Sequence, residues 1–253
     1  GICKKGGNSI SVTSLQRYEL IDDSFKLKDE EKLASMGNPK TLSNFIQWGK
    51  KKYPADRYMI LFWDHGCGAA GGVCFDELFK DTDGLNDDSL SITELAQGLK
   101  WGGIKFDVIG FDTCLTATIE TEYAISPYGK YCAASEETEP SEGWDYNNWT
   151  QYLTKHNDCG LEQFGKYLVD TYIALCQEGY SGDSATLSFV DLSKVGTVYN
   201  NFVKMSSEMS DNASNVTSFR QITKGATRAQ YFGTRTEKEG YTNMIDLGDL
   251  ARN

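Results

Sequence analysis

A thiol, an imidazole and a carboxylate stand where this chain could do covalent chemistry. Cys114 ends a block in which the apolar run Phe106–Phe111 passes through Asp112 and Thr113, and His65 follows the apolar run Tyr58–Trp63 and Asp64. A thiolate can attack a carbonyl carbon while a nearby imidazole moves the proton, splitting one difficult step into two through an acyl-enzyme. The chain has only two histidines, so the imidazole is His65 or His156. His156 sits in the polar stretch Thr154–Cys159, with no apolar strand to aim it, and reads as a solvated surface residue. Gly66, next to His65, lacks a side chain and lets a substrate backbone approach. Its amide and that of Cys114 are candidate donors to an oxyanion.

Each of these residues has a plainer reading. A cysteine after a strand is often just a small buried apolar residue. Cys114 differs in lying at a predicted strand-to-helix junction, where free amides and the helix dipole favour a thiolate. Cys132, inside a strand, and Cys176, inside a helix, have no such setting. Asp112 precedes Cys114 by two residues, so on extended backbone it points to the same side as the thiol. It could floor a pocket for a cationic side chain through a charge-assisted hydrogen bond, or cap the following helix. The residues alone leave both open.

The elements that must position these groups alternate along the chain. Gln16–Ile21 reads as a short strand, and Lys26 to Gly37 as a loop or marginal helix. Thr41–Tyr53 reads as an amphipathic helix stopped by Pro54, and Tyr58–Trp63 as a buried parallel strand. Gly66 to Ser89 reads as a long loop, and Ser91–Glu94 as a capping box that opens a helix to Lys100. Phe106–Phe111 is the second strand, with a helix expected from Leu115, at the thiol itself. Lys130–Ser135 is a third strand, running into an acidic turn at 136–140. Leu161–Glu178 is a helix, Thr186–Val190 a strand, and helical pattern returns over Leu192–Met209 and Phe219–Phe232. This βα alternation predicts a mostly parallel central sheet with helices on both faces. In such a sheet the carboxyl ends of neighbouring strands line one crevice. His65 and Cys114 meet there if their strands are neighbours.

Composition narrows the function classes. With 253 residues, 40% apolar and 24% charged, the chain fits one large α/β domain. A net charge of −11, with no local Lys/Arg cluster, argues against nucleic-acid binding. No window holds the ~18 uninterrupted apolar residues of a membrane helix, so no membrane span is expected. Seven cysteines without a CxxC, beside two histidines, fit neither a common zinc pattern nor a thiol redox motif. The cluster Asp81, Asp83, Asp87 and Asp88 invites calcium, yet its glycine, Gly84, and the twelfth residue, Ile92, depart from a calcium hand. It reads as a solvated acidic loop, with a looser calcium site left open. The chain begins at Gly1 without a leader, as a mature or excerpted piece would.

The strand, Asp64-His65-Gly66, and then Gly110 to Cys114 resemble the histidine and cysteine signature of the caspase-like cysteine peptidases. Thr41–Phe45, Tyr53–Tyr58, Asp88–Leu95 and Ala134–Pro140 with Gly143 and Trp144 resemble the clostripain family in particular, and the likeness runs from Gln16 to Leu250. The resemblance implies a caspase-like three-layer α/β sandwich and a secreted or cell-surface endopeptidase acting on polypeptides after Arg or Lys, with no required cofactor. It places the dyad on His65 and Cys114, the basic-residue S1 position on Asp112, and Ser135 and Glu136 on the strand end lining the cleft. Such enzymes often cut themselves between the catalytic blocks, leaving two processed chains of one protomer. Lys80 is the basic residue of the long loop, which points to Lys80–Asp81. The family's usual opening strand and helix are not recognisable, so residues 1–253 read as a single domain lacking that part and a C-terminal portion. The competing reading is a catalytically silent relative that binds peptides or surfaces.

Overall fold

A computed structural model describes residues 11–22, 24–81, 84, 86–179, 185–236, 240–242 and 244–253. A hairpin of β1 (Ser14–Ile21) and β2 (Ser24–Lys32) leads to α1 (Pro39–Lys52) and β3 (Met59–Trp63). The single turn α2 (Gly68–Gly71) and a second hairpin, β4 (Val73–Lys80) and β5 (Asp87–Leu90), precede α3 (Ile92–Gly102) and β6 (Phe106–Asp112). Then come α4 (Ile119–Ile125), β7 (Gly129–Ala134), α5 (Tyr146–Lys155), α6 (Leu161–Glu178) and β8 (Ser188–Asp191). The chain closes with α7 (Leu192–Asn212), α8 (Val216–Arg228) and α9 (Leu247–Arg252).

The central sheet has the order β3-β6-β7-β8, with β3, β6 and β7 parallel and β8 antiparallel at one edge. Successive side chains alternate between its faces. Ile60, Phe62, Ile109, Phe111, Cys132 and Ala134 pack on one face against Leu42 and Ile46 of α1, Leu95 and Leu99 of α3, Ile125 of α4 and Val195 of α7. Val108 and Ala133, with Met59 and Leu61, face Phe164, Leu168 and Tyr172 of α6 and the Trp144 ring on the other. Strand β6 is central and covered on both faces, so all seven of its residues are buried and its sequence reads as a nearly continuous apolar run. Gly110 makes room in it. A Cβ there would stand 2.8 Å from Leu61 and 3.1 Å from the Trp144 ring. The expected three-layer, mostly parallel architecture is what the chain forms.

Local signals read from sequence place the flanking helices. Asn38 caps α1 with Pro39 at its first turn, and Lys50, Lys51 and Lys52 close it. Ser91 and Glu94 form the reciprocal capping box of α3.

Four expectations are corrected. The stretch from Lys26, read as loop or marginal helix, belongs largely to β2. There Phe25 and Leu27 alternate with Lys26 and Lys28, and Arg17 pairs across the ladder with Asp29 and Glu31. The supposed loop from Gly66 to Ser89 holds α2 and the β4–β5 hairpin. The helix expected at Leu115 begins at Ile119, capped by Thr118, after a turn through Leu115 at φ +60°. Helix α5, for which there was no expectation, is opened by the Asp145 carboxylate accepting the Asn148 N–H at 3.0 Å. The last helical stretch, read over Phe219–Phe232, ends at Arg228, and Tyr231 and Phe232 instead pair with Ile245 and Met244.

Candidate active site

Parallel pairing sets the site. Trp63 of β3 lies opposite Asp112 of β6, and His65 and Cys114 each follow two residues further along. The loops leaving the two strands stay in contact. A Cβ on Gly66 would stand 2.3 Å from the Cys114 carbonyl oxygen, so only glycine allows this approach. His65 and Cys114 therefore leave the sheet at one edge, on adjacent strands. The His65 carbonyl accepts the Cys74 N–H at 3.2 Å, and the Cys67 N–H donates to Gly72 at 3.1 Å. These bonds fix the backbone on both sides of Gly66 and leave its own amide out of the ladder. His65 is exposed, and Cys114 is half-buried. His156 caps the C-terminus of α5, stacked on Tyr152 and exposed, and takes no part in this edge.

Cys114 has no helix N-terminus beneath it, contrary to expectation. Its turn is held instead by the segment after β7, where the Leu115 N–H donates to Glu137 at 3.1 Å and the Ala117 N–H to Ser135 at 2.9 Å. The left-handed Leu115 is a strained conformation for a branched side chain, of the kind found at functional turns. The Cys114 Sγ accepts the Glu139 N–H at 3.2 Å. Burial pushes the thiol above its ordinary value, and the Glu139 N–H pulls the other way. On balance burial favours the neutral thiol over the thiolate here.

Asp112 does not cap a helix, since Thr118 fills that role for α4. It is buried at the end of β6, where it accepts the Trp144 N–H at 3.2 Å and the Tyr146 hydroxyl at 2.7 Å. Gly143, at φ +66°, lets this loop close on the carboxylate, because a Cβ there would stand 2.8 Å from an Asp112 oxygen. Beside Asp112 lies the Glu139 carboxyl, which accepts the Trp144 indole N–H at 3.2 Å. Burial first, and then the Asp112 carboxylate, push it up to about 10. Tyr146 is raised well above the ordinary tyrosine range by burial and by the same carboxylate.

Ser135 and Glu136 are placed differently from the rest. Ser135 is fully buried, and its hydroxyl bonds to Glu137 and Thr186. Glu136 accepts the Ser188 hydroxyl, and its charge, after burial, helps push Glu122 of α4 up to about 7. Ser135 thus ties down the strand end, while Glu136 is half-buried beside Ser188. Lys80 ends β4 and pairs with Asp87 across the hairpin, and the Asp81 N–H donates to Asn86 at 3.0 Å.

Of the acidic cluster, Thr82 and Asp83 lie outside the described residues, and Asp88 accepts the Ser35 hydroxyl. Among the described residues, no three His, Cys, Asp or Glu side chains are arranged for a metal. No helix among them is long and apolar enough to cross a membrane. Sequence reasoning missed Glu139, Trp144 and Tyr146 as neighbours of Asp112. Glu139 and Trp144 sit in an irregular segment and Tyr146 opens α5, so no periodicity announces that these side chains turn inward.

Comparison with known proteins agrees with this geometry. Residues 15–253 match the profile of the clostripain family. A stretch of 102 residues is 32% identical to clostripain of Hathewaya histolytica, covering 37% of this chain and 19% of that protein. Two solved structures share the fold. The secreted C11 cysteine protease iotapain of Bacteroides thetaiotaomicron aligns at TM-score 0.66 with 19% identity, over 94% of this chain and 65% of that one. An inactive zymogen C11 protease of Parabacteroides distasonis aligns at TM-score 0.59 with 17% identity, over the same shares of the two chains. The chain spans less than two thirds of the length of each of these relatives.

Proposed function

Because the chain belongs to the clostripain family, we propose that it is a cysteine endopeptidase cleaving polypeptides after Arg or Lys, with Cys114 as nucleophile and His65 as its base. The observation that carries this reading is the parallel pairing of β3 with β6, which ends both residues at one edge of the sheet.

The reaction follows from the groups at that edge. The burial-raised thiol gives its proton to the His65 imidazole as the sulfur attacks the carbonyl carbon after the basic residue. The amides of Gly66 and Cys114 take the oxyanion, and Gly66 is free to do so because its neighbours make the ladder bonds. The imidazolium protonates the leaving amine, and water then releases the acyl-enzyme. Asp112, buried and facing the Trp144 and Tyr146 side of the sheet, receives the cationic side chain. Ser135 and Glu136 support the segment that shapes this cleft.

A panel of reporter peptides with Arg, Lys, Asp or Asn before the scissile bond tests the reading. Arg or Lys reporters are expected to exceed Asp and Asn reporters by roughly a hundredfold or more in kcat/KM, because a desolvated carboxylate favours a cation and repels an acid. Equal turnover of all four, or a preference for Asp or Asn, refutes it.

Maturation is proposed at Lys80–Asp81. This bond sits at a hairpin tip, the kind of exposed site that proteolysis favours. The Lys80–Asp87 pair must open before Lys80 can enter an active site. Active protein is expected to run as two chains whose masses place the cut after Lys80, and Lys80→Ala to stay intact there. Active wild-type protein with an unbroken 66–113 segment contradicts this site. Export from the cell is proposed as well, two of the similar solved structures being described as secreted.

A further inference from the structure

We infer that Glu139 is a second carboxyl of the Asp112 pocket and a specificity-determining residue that selects a guanidinium over an ammonium. The inference rests on the proposed cleavage after basic residues and names what refines it.

Glu139 joins the two halves of the site. Its backbone N–H reaches the Cys114 sulfur at 3.2 Å, while its side chain turns to the buried Asp112. One carboxyl oxygen, Oε1, accepts the Trp144 indole N–H at 3.2 Å. The other, Oε2, is buried with no protein donor among the described residues. A neutral Glu139 can direct its proton to Asp112, but once ionised it leaves that oxygen a buried acceptor without a donor, which costs free energy. Two more polar groups without a hydrogen-bond partner among the described residues lie on the same side of the sheet, the Trp149 indole N–H and the Tyr172 hydroxyl, the latter near both Glu139 and the Cys176 thiol. Asp112 has given one oxygen to Trp144 and Tyr146.

In the free protein the neighbours of Glu139 explain how two acids coexist. Asp112, Tyr146, Tyr172, Cys114 and Cys176 face it, and no cationic side chain is among them. Burial and the Asp112 charge keep it neutral, so it can share its proton with Asp112. An arriving guanidinium changes that balance. Its positive charge favours both ionised carboxyls, and its planar fork of five donors can bridge two acceptors, which an ammonium point charge does less well. The proton on Glu139 then leaves to solvent.

The sign of the pH dependence follows. A group whose pKa is high in the free protein and lower in the complex releases a proton on binding. Binding then tightens with rising pH between the two values, by up to about tenfold per unit. KM for an Arg reporter is therefore expected to fall as pH rises above neutrality toward 10 in wild type. Glu139→Gln, which preserves an acceptor for Trp144, is expected to flatten that slope and to cut the Arg-over-Lys ratio by about tenfold. A direct measurement needs no substitution. Titration of the wild-type protein with benzamidine, in buffers of different ionisation enthalpy at pH 8, should show proton release approaching one per site.

Unchanged slope and unchanged Arg/Lys ratio in a folded Glu139→Gln variant, or benzamidine binding without proton release, overturns the inference and leaves the peptidase reading standing. A wild-type enzyme that ignores Arg and Lys removes both together.

Discussion

Cys114→Ala is expected to lower kcat/KM on Arg and Lys reporters by on the order of 10⁴-fold or more, because it removes the thiol proposed to form the acyl-enzyme. Its fold should survive. Cys114 is half-buried, in a turn held by backbone bonds from Leu115 and Ala117, and its sulfur adds one acceptor for the Glu139 N–H, so the change in stability is expected to stay within about 2 kcal/mol. His65→Ala should produce a similar collapse, and the double variant little more, since the two act as one unit. His156→Ala is the control, being exposed and stacked on Tyr152 away from the edge. A thiol-directed peptide electrophile with a basic residue sharpens the test. Cys67 is exposed two residues after His65 and offers a rival thiol, whereas Cys114 is half-buried. Mass spectrometry is expected to find the adduct on Cys114. An adduct confined to Cys67, or full activity in Cys114→Ala, ends the proposed mechanism.

The parts of this molecule legible in sequence are those that physics writes locally. Strands β3 and β6 announced themselves because a strand covered on both faces needs apolar residues at every position. Helix α1 announced itself through amphipathic spacing and the stop at Pro54, and α3 through its capping box, since Ser91 and Glu94 satisfy amide groups within a few residues. The pairing of the strands that lead to His65 and Cys114 was legible because it follows from strand order, not from side-chain detail. What escaped was set by distant partners. Hairpin β4–β5 looked like loop because its glycines and acids obscure the period, and only pairing reveals it. The helix after Cys114 was placed too early because sequence cannot show that Leu115 turns left-handed to meet Glu137. The surroundings of Asp112 could not be read from sequence either, because its donors Trp144 and Tyr146 lie over thirty residues away.

Asp112→Asn is expected to reduce kcat/KM on Arg and Lys reporters by roughly a hundred- to a thousandfold, while leaving the protein folded. The magnitude comes from removing one partner of a desolvated charge pair, which costs about 3–5 kcal/mol when the other charge must still be buried. Asparagine is the informative replacement. Its amide oxygen can still accept the Trp144 N–H and the Tyr146 hydroxyl, so only the charge is lost. Alanine would leave both donors unpaired, at about 1–3 kcal/mol each, and would confuse a specificity role with a structural one. The loss should appear mainly as a raised KM for basic reporters, with the relative rate on uncharged residues rising, since the scissile bond and the Cys114 turn are untouched. Asp112→Asn also removes the neighbour whose charge helps keep Glu139 neutral. Some cation binding is then recovered at high pH as Glu139 ionises, which sets this variant apart from a collapsed pocket. A variant that cleaves after Arg as well as wild type does would reduce Asp112 to an anchor for the Trp144 loop, and the cation would have to be read elsewhere.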